Sequence, residues 1–170
     1  MERRISGFIL AELMVVIMVL GILSAMAAPS VLRIYRQAAL EYETEHLLAD
    51  LRRIRSMSRQ CNETADGYGQ NSVWIQKVFI NLNMDSYDIW AKGGTLKYSK
   101  RFSHKLMPMI KMSWPNAGGG SEFSFRWNSG LRSKGMMGTI VLMVRGHPEE
   151  QRWIRINRSG RLRIERGGKW

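Results

Sequence analysis

Residues 7–29 read GFILAELMVVIMVLGILSAMAAP, an apolar run that begins close to the start of the sequence and carries a single acid, Glu12. From Phe8 through Leu32, 25 residues, Glu12 is the one charged side chain. A helix of that length, at ~1.5 Å rise per residue, crosses a bilayer core of roughly 30 Å. A carboxylate inside that core costs about 2.5–3.5 kcal/mol even on the lenient insertion scale, so Glu12 requires a partner and a task. The neighbouring sequence supplies no such partner.

Beyond this run the 170-residue chain has room for one modest domain. With 45% hydrophobic and 24% charged residues it has the composition of a folded protein. The single cysteine, Cys61, excludes an intrachain disulfide framework and any multi-cysteine zinc site. The 12 methionines read as adaptable core and membrane filling. The net charge of +12 is unevenly placed: residues 151–170 hold six arginines and Lys169 against Glu165 alone. Such a tail favours polyanions, whether nucleic acid, anionic lipid or an acidic cell-wall polymer.

Three readings compete for residues 1–32. Arg3 and Arg4 followed by an apolar run and Ala25-Met26-Ala27 have the form of a secretory signal peptide, although the run is longer than usual and holds an acid. An ordinary signal anchor is the second reading. Its orientation is not set by charge, because Arg3 and Arg4 on one side face Arg33 and Arg36 on the other. The third rests on a resemblance. A short basic leader ending in Gly7, then Phe8, Glu12 four residues on, a Leu/Ile/Val/Met helix and Pro29 resemble the prepilin signature of type IV pilins and pseudopilins. Ile9 and Ala11 depart from the usual pattern.

That resemblance implies a prepilin peptidase cutting between Gly7 and Phe8 and methylating the new amino terminus at Phe8. It also implies that Glu12 pairs with the charged amino terminus of a neighbouring subunit in a filament. Such a pairing satisfies a carboxylate in a dry bundle and sets the axial register between subunits. Pro29 removes one helical hydrogen bond and clashes with the preceding turn. With Gly21 upstream it marks a place for bending, or else the end of the membrane helix.

Helical patterning continues to about Gln60. Leu40, Leu47, Leu51 and Ile54 form one stripe, while Glu41, Glu45, Arg52, Arg55 and Arg59 lie away from it. Cys61 to Ser72, with Gly67 and Gly69, reads as a loop. Strand-like runs follow at Val73–Ile80 and Tyr87–Ala91, through Leu96, Tyr98 and Phe102, and through Phe123, Phe125 and Trp127. The run Thr139–Val144 is the most apolar and is expected to be central, and Asn116–Ser121 reads as a flexible loop. One long helix and then strands predict an α+β fold with an antiparallel sheet. The expected organisation is a leader over residues 1–7, an apolar membrane or filament-core helix over 8–32, an amphipathic helix over 33–60 and a β-rich head over 61–170.

At the C-terminus, Trp153–Asn157 and Arg161–Glu165 flank Arg158-Ser159-Gly160, where Gly160 suits the left-handed position of a three-residue hairpin loop. Alternation places Ile154, Ile156, Leu162 and Ile164 on one face. It places Trp153, Arg155, Arg161, Arg163 and Glu165 on the other. The strand Phe123–Trp127 with Gly130, the strand Thr139–Val144 and the ending from Ile154 to Arg163 resemble the head of minor pilins and pseudopilins of the FimT/GspH class. In the FimT-like branch a Gly-Arg-x-Arg ending is associated with binding DNA, and Gly160, Arg161 and Arg163 match it. Arg155, Arg158, Arg161 and Arg163 are therefore the expected phosphate contacts, since guanidinium forks suit phosphate geometry. The alternative is a solvated strand face, or arginines paired with acids.

His46, His104 and His147 are scattered and none is expected at metal-ligand spacing with a second His, Cys or acid; no phosphate loop or nucleophile elbow appears, and Gly118–Gly120 precede no strand–helix turn. Neither a metal, a cofactor nor a catalytic group is expected. The expected protein is a minor pilin with its head outside the cytoplasm, held by one span in the inner membrane and then drawn into a cell-surface pilus. Its expected partners are other pilins, the prepilin peptidase, the membrane and DNA. A pseudopilin in a periplasmic type II secretion filament is the alternative, and a basic head resting on anionic lipid or cell wall is a third possibility.

Overall fold

The computed structural model describes residues 3–59, 77–92, 98–115, 121–125, 131–132 and 138–167, the side chains of 3–9, 77, 92, 98, 131 and 132 excepted. It divides into two compact units, Met1–Gln37 and Ala38–Trp170. A single helix, α1 (Arg3–Arg59), contributes to both.

In the first unit the large apolar side chains from Leu10 to Ile34 are exposed on every side of the helix. A helix that is apolar all round is satisfied only in an apolar surrounding, and this segment is long and apolar enough to cross a membrane. Pro29 lies inside α1 without interrupting it, and the Ser30 hydroxyl donates to the Ala27 carbonyl at 2.7 Å. Gly7 and Phe8 fall within the helical span, but their side chains lie outside the described residues.

In the second unit α1 is amphipathic. Leu40, Leu47, Leu51 and Ile54, the stripe read from the sequence, are fully buried. Each contributes about 1.5–3 kcal/mol by leaving water. Thr44 and Ser58 are buried as well, and each hydroxyl is satisfied by the carbonyl four residues back, of Leu40 (2.6 Å) and Ile54 (2.8 Å).

The strands are β1 (Lys77–Leu82), β2 (Ser86–Lys92), β3 (Tyr98–Lys105), β4 (Ile110–Ser113), β5 (Glu122–Phe125), β6 (Leu131–Arg132), β7 (Gly138–Val144), β8 (His147–Ile156) and β9 (Leu162–Arg166). Among the described residues they form two antiparallel sheets, where the sequence pointed to one. The first has five strands in the order β3-β2-β1-β5-β6, and the second has four in the order β4-β7-β8-β9. Ile80, Tyr87 and Phe123 from the first sheet and Ile110, Ile140, Leu142 and Ile154 from the second join the α1 stripe in one core.

Backbone bonds at one end tie the sheets together. The Leu106 and Met112 amides donate to the Asp85 and Met84 carbonyls of the β1–β2 turn, at 2.9 and 2.8 Å. The Arg145 amide of the β7–β8 turn donates to the Met109 carbonyl at 2.7 Å. β7 is central, as its uninterrupted apolar run predicts, and is buried on both faces for most of its length. β4 was not expected. It is four residues long and follows directly on a Met107–Ile110 turn, closed at 2.8 Å with Pro108 as its second residue, so the alternation of Ile110 and Met112 with Lys111 and Ser113 is too short to stand out. Cys61 to Ser72, residues 73–76, Leu96, the glycines of 116–120, Trp127 and Gly130 lie outside the described residues.

Candidate functional site: the basic hairpin and the flanks of the helix

β8 and β9 pair in register, Ile154 with Ile164, Arg155 with Arg163 and Ile156 with Leu162. The loop closes as the sequence predicts. The Gly160 amide donates to the Asn157 carbonyl at 2.9 Å, Gly160 takes φ +73°, and the Asn157 amide donates to the Arg161 carbonyl at 3.2 Å. A β-carbon is disfavoured at that φ, which is why glycine stands there. Asn157 braces the turn with its side chain, whose Oδ1 accepts from the Ser159 hydroxyl and the Arg161 amide, both at 2.8 Å.

The outward face is less uniform than the alternation predicts. Arg155, Arg158, Arg161 and Arg163 are exposed, but Trp153 is buried at 3% exposure rather than standing open beside them. Its register partner on β7, Val141, is buried too, at 1%. The accessible part of this face therefore begins beyond Trp153, toward the loop. Arg155 is also committed: its Nε lies 3.1 Å from Glu165 Oε2, and its guanidinium stands 5.3 Å from the Trp153 ring centroid. Arg161 and Arg163 meet no acid among the described residues.

The helix flank facing this hairpin carries charge of both signs. Glu41 Oε1 accepts from Arg152 Nη2 at 3.0 Å and lies 3.8 Å from Arg166. Glu41, Thr44, Glu45, Arg152, Ile164 and Arg166 line a shallow cleft. Nearer the loop, Arg55 Nη2 donates to the Ser159 carbonyl at 3.4 Å. The sequence reading only set Glu41 away from the apolar stripe; in the fold it stays exposed and anchors the last two strands.

The opposite flank of α1 meets the first sheet through a polar cluster that scattered sequence positions do not announce. The Tyr87 hydroxyl donates to Asp50 Oδ2 at 2.7 Å, so His46 Nδ1, 2.7 Å from the Tyr87 hydroxyl oxygen, donates to that hydroxyl. His104 Nε2 bonds Glu43 Oε2 at 2.8 Å, and Glu43 Oε1 accepts the Met107 amide at 2.9 Å. The two imidazoles stack, with ring centroids 4.2 Å apart. Burial, and then the hydrogen bond to Asp50, push the Tyr87 hydroxyl well above its usual pKa. Each polar atom named here has a partner on the facing element, so the cluster fastens helix to sheet. The expectation that the histidines stand apart is corrected in a second place: His147, Glu149 and Glu150 bring one ligand atom each within 4.8 Å on β8. His147 Nδ1 is 3.0 Å from Glu149 Oε1 in that group.

No protein-family model matches the sequence, and no curated protein matches it. Among solved structures the chain is similar to the type IV minor pilin FimU of Pseudomonas aeruginosa. The TM-score is 0.51 at 16% identity, covering 74% of this chain and 92% of that one. The long helix packed on antiparallel sheets thus matches a solved pilin, and this chain has the type IV pilin fold.

Proposed function

We propose that the chain is a minor type IV pilin whose head binds DNA through its C-terminal hairpin and contributes to DNA uptake. The observation that carries the pilin reading is the fold shared with FimU, joined to a helix whose first part exposes apolar side chains on every side. In this reading a peptidase removes residues 1–7, Phe8 becomes the methylated amino terminus, and one span holds the subunit in the inner membrane with the head outside the cytoplasm. On assembly Glu12 pairs with the amino terminus of a neighbouring pilin, and Pro29 is the soft point of the helix. The protein works as a structural subunit rather than a catalyst.

The DNA reading is supported by Arg161 and Arg163, exposed and without an acid among the described residues, beside Arg158 on the loop. Phosphate contacts of this kind read no sequence and weaken steeply with salt, the slope of log K against log salt being about −0.9 per phosphate neutralised. The test is duplex binding by the full-length protein in nonionic detergent. Arg161→Ala/Arg163→Ala should lose about tenfold in affinity at low salt and make the slope shallower by about 1.8. Unchanged affinity removes the DNA reading and favours a second one, a type II secretion pseudopilin. One observation already points that way: Arg155 spends its charge on Glu165 within the head.

A further inference from the structure

Two contacts fix how α1 runs along the last hairpin. Glu41 meets Arg152, and Arg55 meets Ser159. These contacts are 14 residues apart on the helix, about 21 Å at ~1.5 Å per residue. They are seven residues apart along the hairpin, about 23 Å at ~3.3 Å per residue. The lengths agree, so helix and hairpin run side by side from the open end of the hairpin to its tip. At about 100° per residue, positions 41, 45, 52, 55 and 59 fall on this one flank. Its acids lie at the open end, where Glu41 meets Arg152 and Arg166. Its arginines, Arg52, Arg55 and Arg59, lie at the tip, next to the loop that carries Arg158 and Arg161.

Among the described residues β9 is the edge strand of its sheet, and no further strand separates the outward arginines from the helix flank. Arg52 and Arg59 are exposed, and Arg52 meets no acid among the described residues. The helix dipole accounts for Arg59 in the last turn but not for Arg52, because the dipole's influence falls off within one turn of the end. Arg52 and Arg59 are about 10 Å apart along the axis, a length over which duplex DNA presents about six phosphate charges.

We infer that the phosphate-binding surface does not stop at the hairpin: it continues around the β9 edge onto α1, with Arg52 and Arg59 as further phosphate contacts. Arg55 acts as a positioning residue that holds the loop against the helix. This inference rests on the DNA reading above and extends it to a surface that no Gly-Arg-x-Arg motif contains.

The test compares duplex binding by full-length wild type, Arg52→Ala/Arg59→Ala, Arg52→Lys/Arg59→Lys and Arg161→Ala/Arg163→Ala in nonionic detergent, as log K against log salt. The Arg52→Ala/Arg59→Ala protein should bind about tenfold more weakly at low salt, with a slope shallower by about 1.8, and the lysine pair should keep the wild-type slope. A purely structural role for these arginines would shift the thermal midpoint and leave the slope unchanged. If the helix variant keeps the wild-type slope while the hairpin variant loses its own, the helix inference is wrong and the DNA reading stands. If wild type shows no salt-dependent binding, both fall. If the hairpin variant behaves as wild type, the DNA reading falls, and the helix inference, which continues the hairpin surface, falls with it.

Discussion

The carboxylate of Glu41 on α1 accepts a hydrogen bond from the Arg152 guanidinium on β8 at 3.0 Å, across 111 residues of sequence. It couples the helix to the most basic part of the chain, and it removes charge from that part. Arg166, 3.8 Å away, shares the same carboxylate. Glu41→Gln should lower head stability by under about 1 kcal/mol, because the pair is partly exposed. By releasing two guanidinium groups it should also tighten duplex binding roughly threefold at low salt. Thermal melting and fluorescence anisotropy on the same sample check both effects.

The α1 stripe separates packing from membrane function. Leu51 is fully buried, whereas Leu20, on the same helix, is exposed. Leu51→Ala should destabilise the head by about 2–5 kcal/mol, through lost burial and the cavity left behind. Leu20→Ala should leave the head's unfolding midpoint where it is. Urea unfolding followed by tryptophan fluorescence distinguishes the two.

Tyr87 gives the head an alkaline limit. Its hydroxyl stays protonated in the folded head, while in the unfolded chain it ionises near pH 10. The unfolded state thus loses the proton first. The stability tied to this group is fully present below about pH 10 and declines above it by roughly 1.4 kcal/mol per pH unit. Tyr87→Phe should remove that part of the alkaline slope. At neutral pH it should cost about 1–3 kcal/mol, because Asp50 and His46 lose their shared partner. Stability measured against pH for both proteins tests this.

How much of this was legible in the sequence follows from the range of the forces involved. The α1 stripe, the central β7 and the Gly160 turn come from local periodicity and one glycine, and the fold has all three. The division into two sheets does not, since it depends on pairings between distant strands. β4 is hidden because its alternation spans only four residues, Ile110 to Ser113, directly after the turn at Pro108. The stack of His46 on His104 joins positions far apart in the chain, and nothing in either neighbourhood marks it. Trp153 shows the converse error: alternation assigns a face correctly but cannot say whether that face is covered. At the hairpin, the positions of Arg155 and Arg163 were readable, whereas the capture of Arg155 by Glu165 required the fold.

Asp88 on β2 sets an acid limit. Burial pushes its carboxyl up, but hydrogen bonds from Lys100 (2.7 Å) and the Ser103 hydroxyl (2.7 Å) outweigh burial and hold it below the usual carboxylate range. The associated stability is present above the unfolded value near pH 4 and is lost as pH falls below it. Lys100→Met should cost about 0.5 kcal/mol at neutral pH and flatten the acid limb of the stability curve. Thermal midpoints measured from neutral pH down through the carboxylate range check this.

The central claim is that this chain is processed and assembled as a pilin, and it turns on the bond between Gly7 and Phe8. Intact-mass and N-terminal analysis of the mature protein from its native membrane tests it most directly. The account predicts a chain beginning at N-methylated Phe8. A mature chain beginning at Ala28, or one retaining residues 1–7, would contradict it.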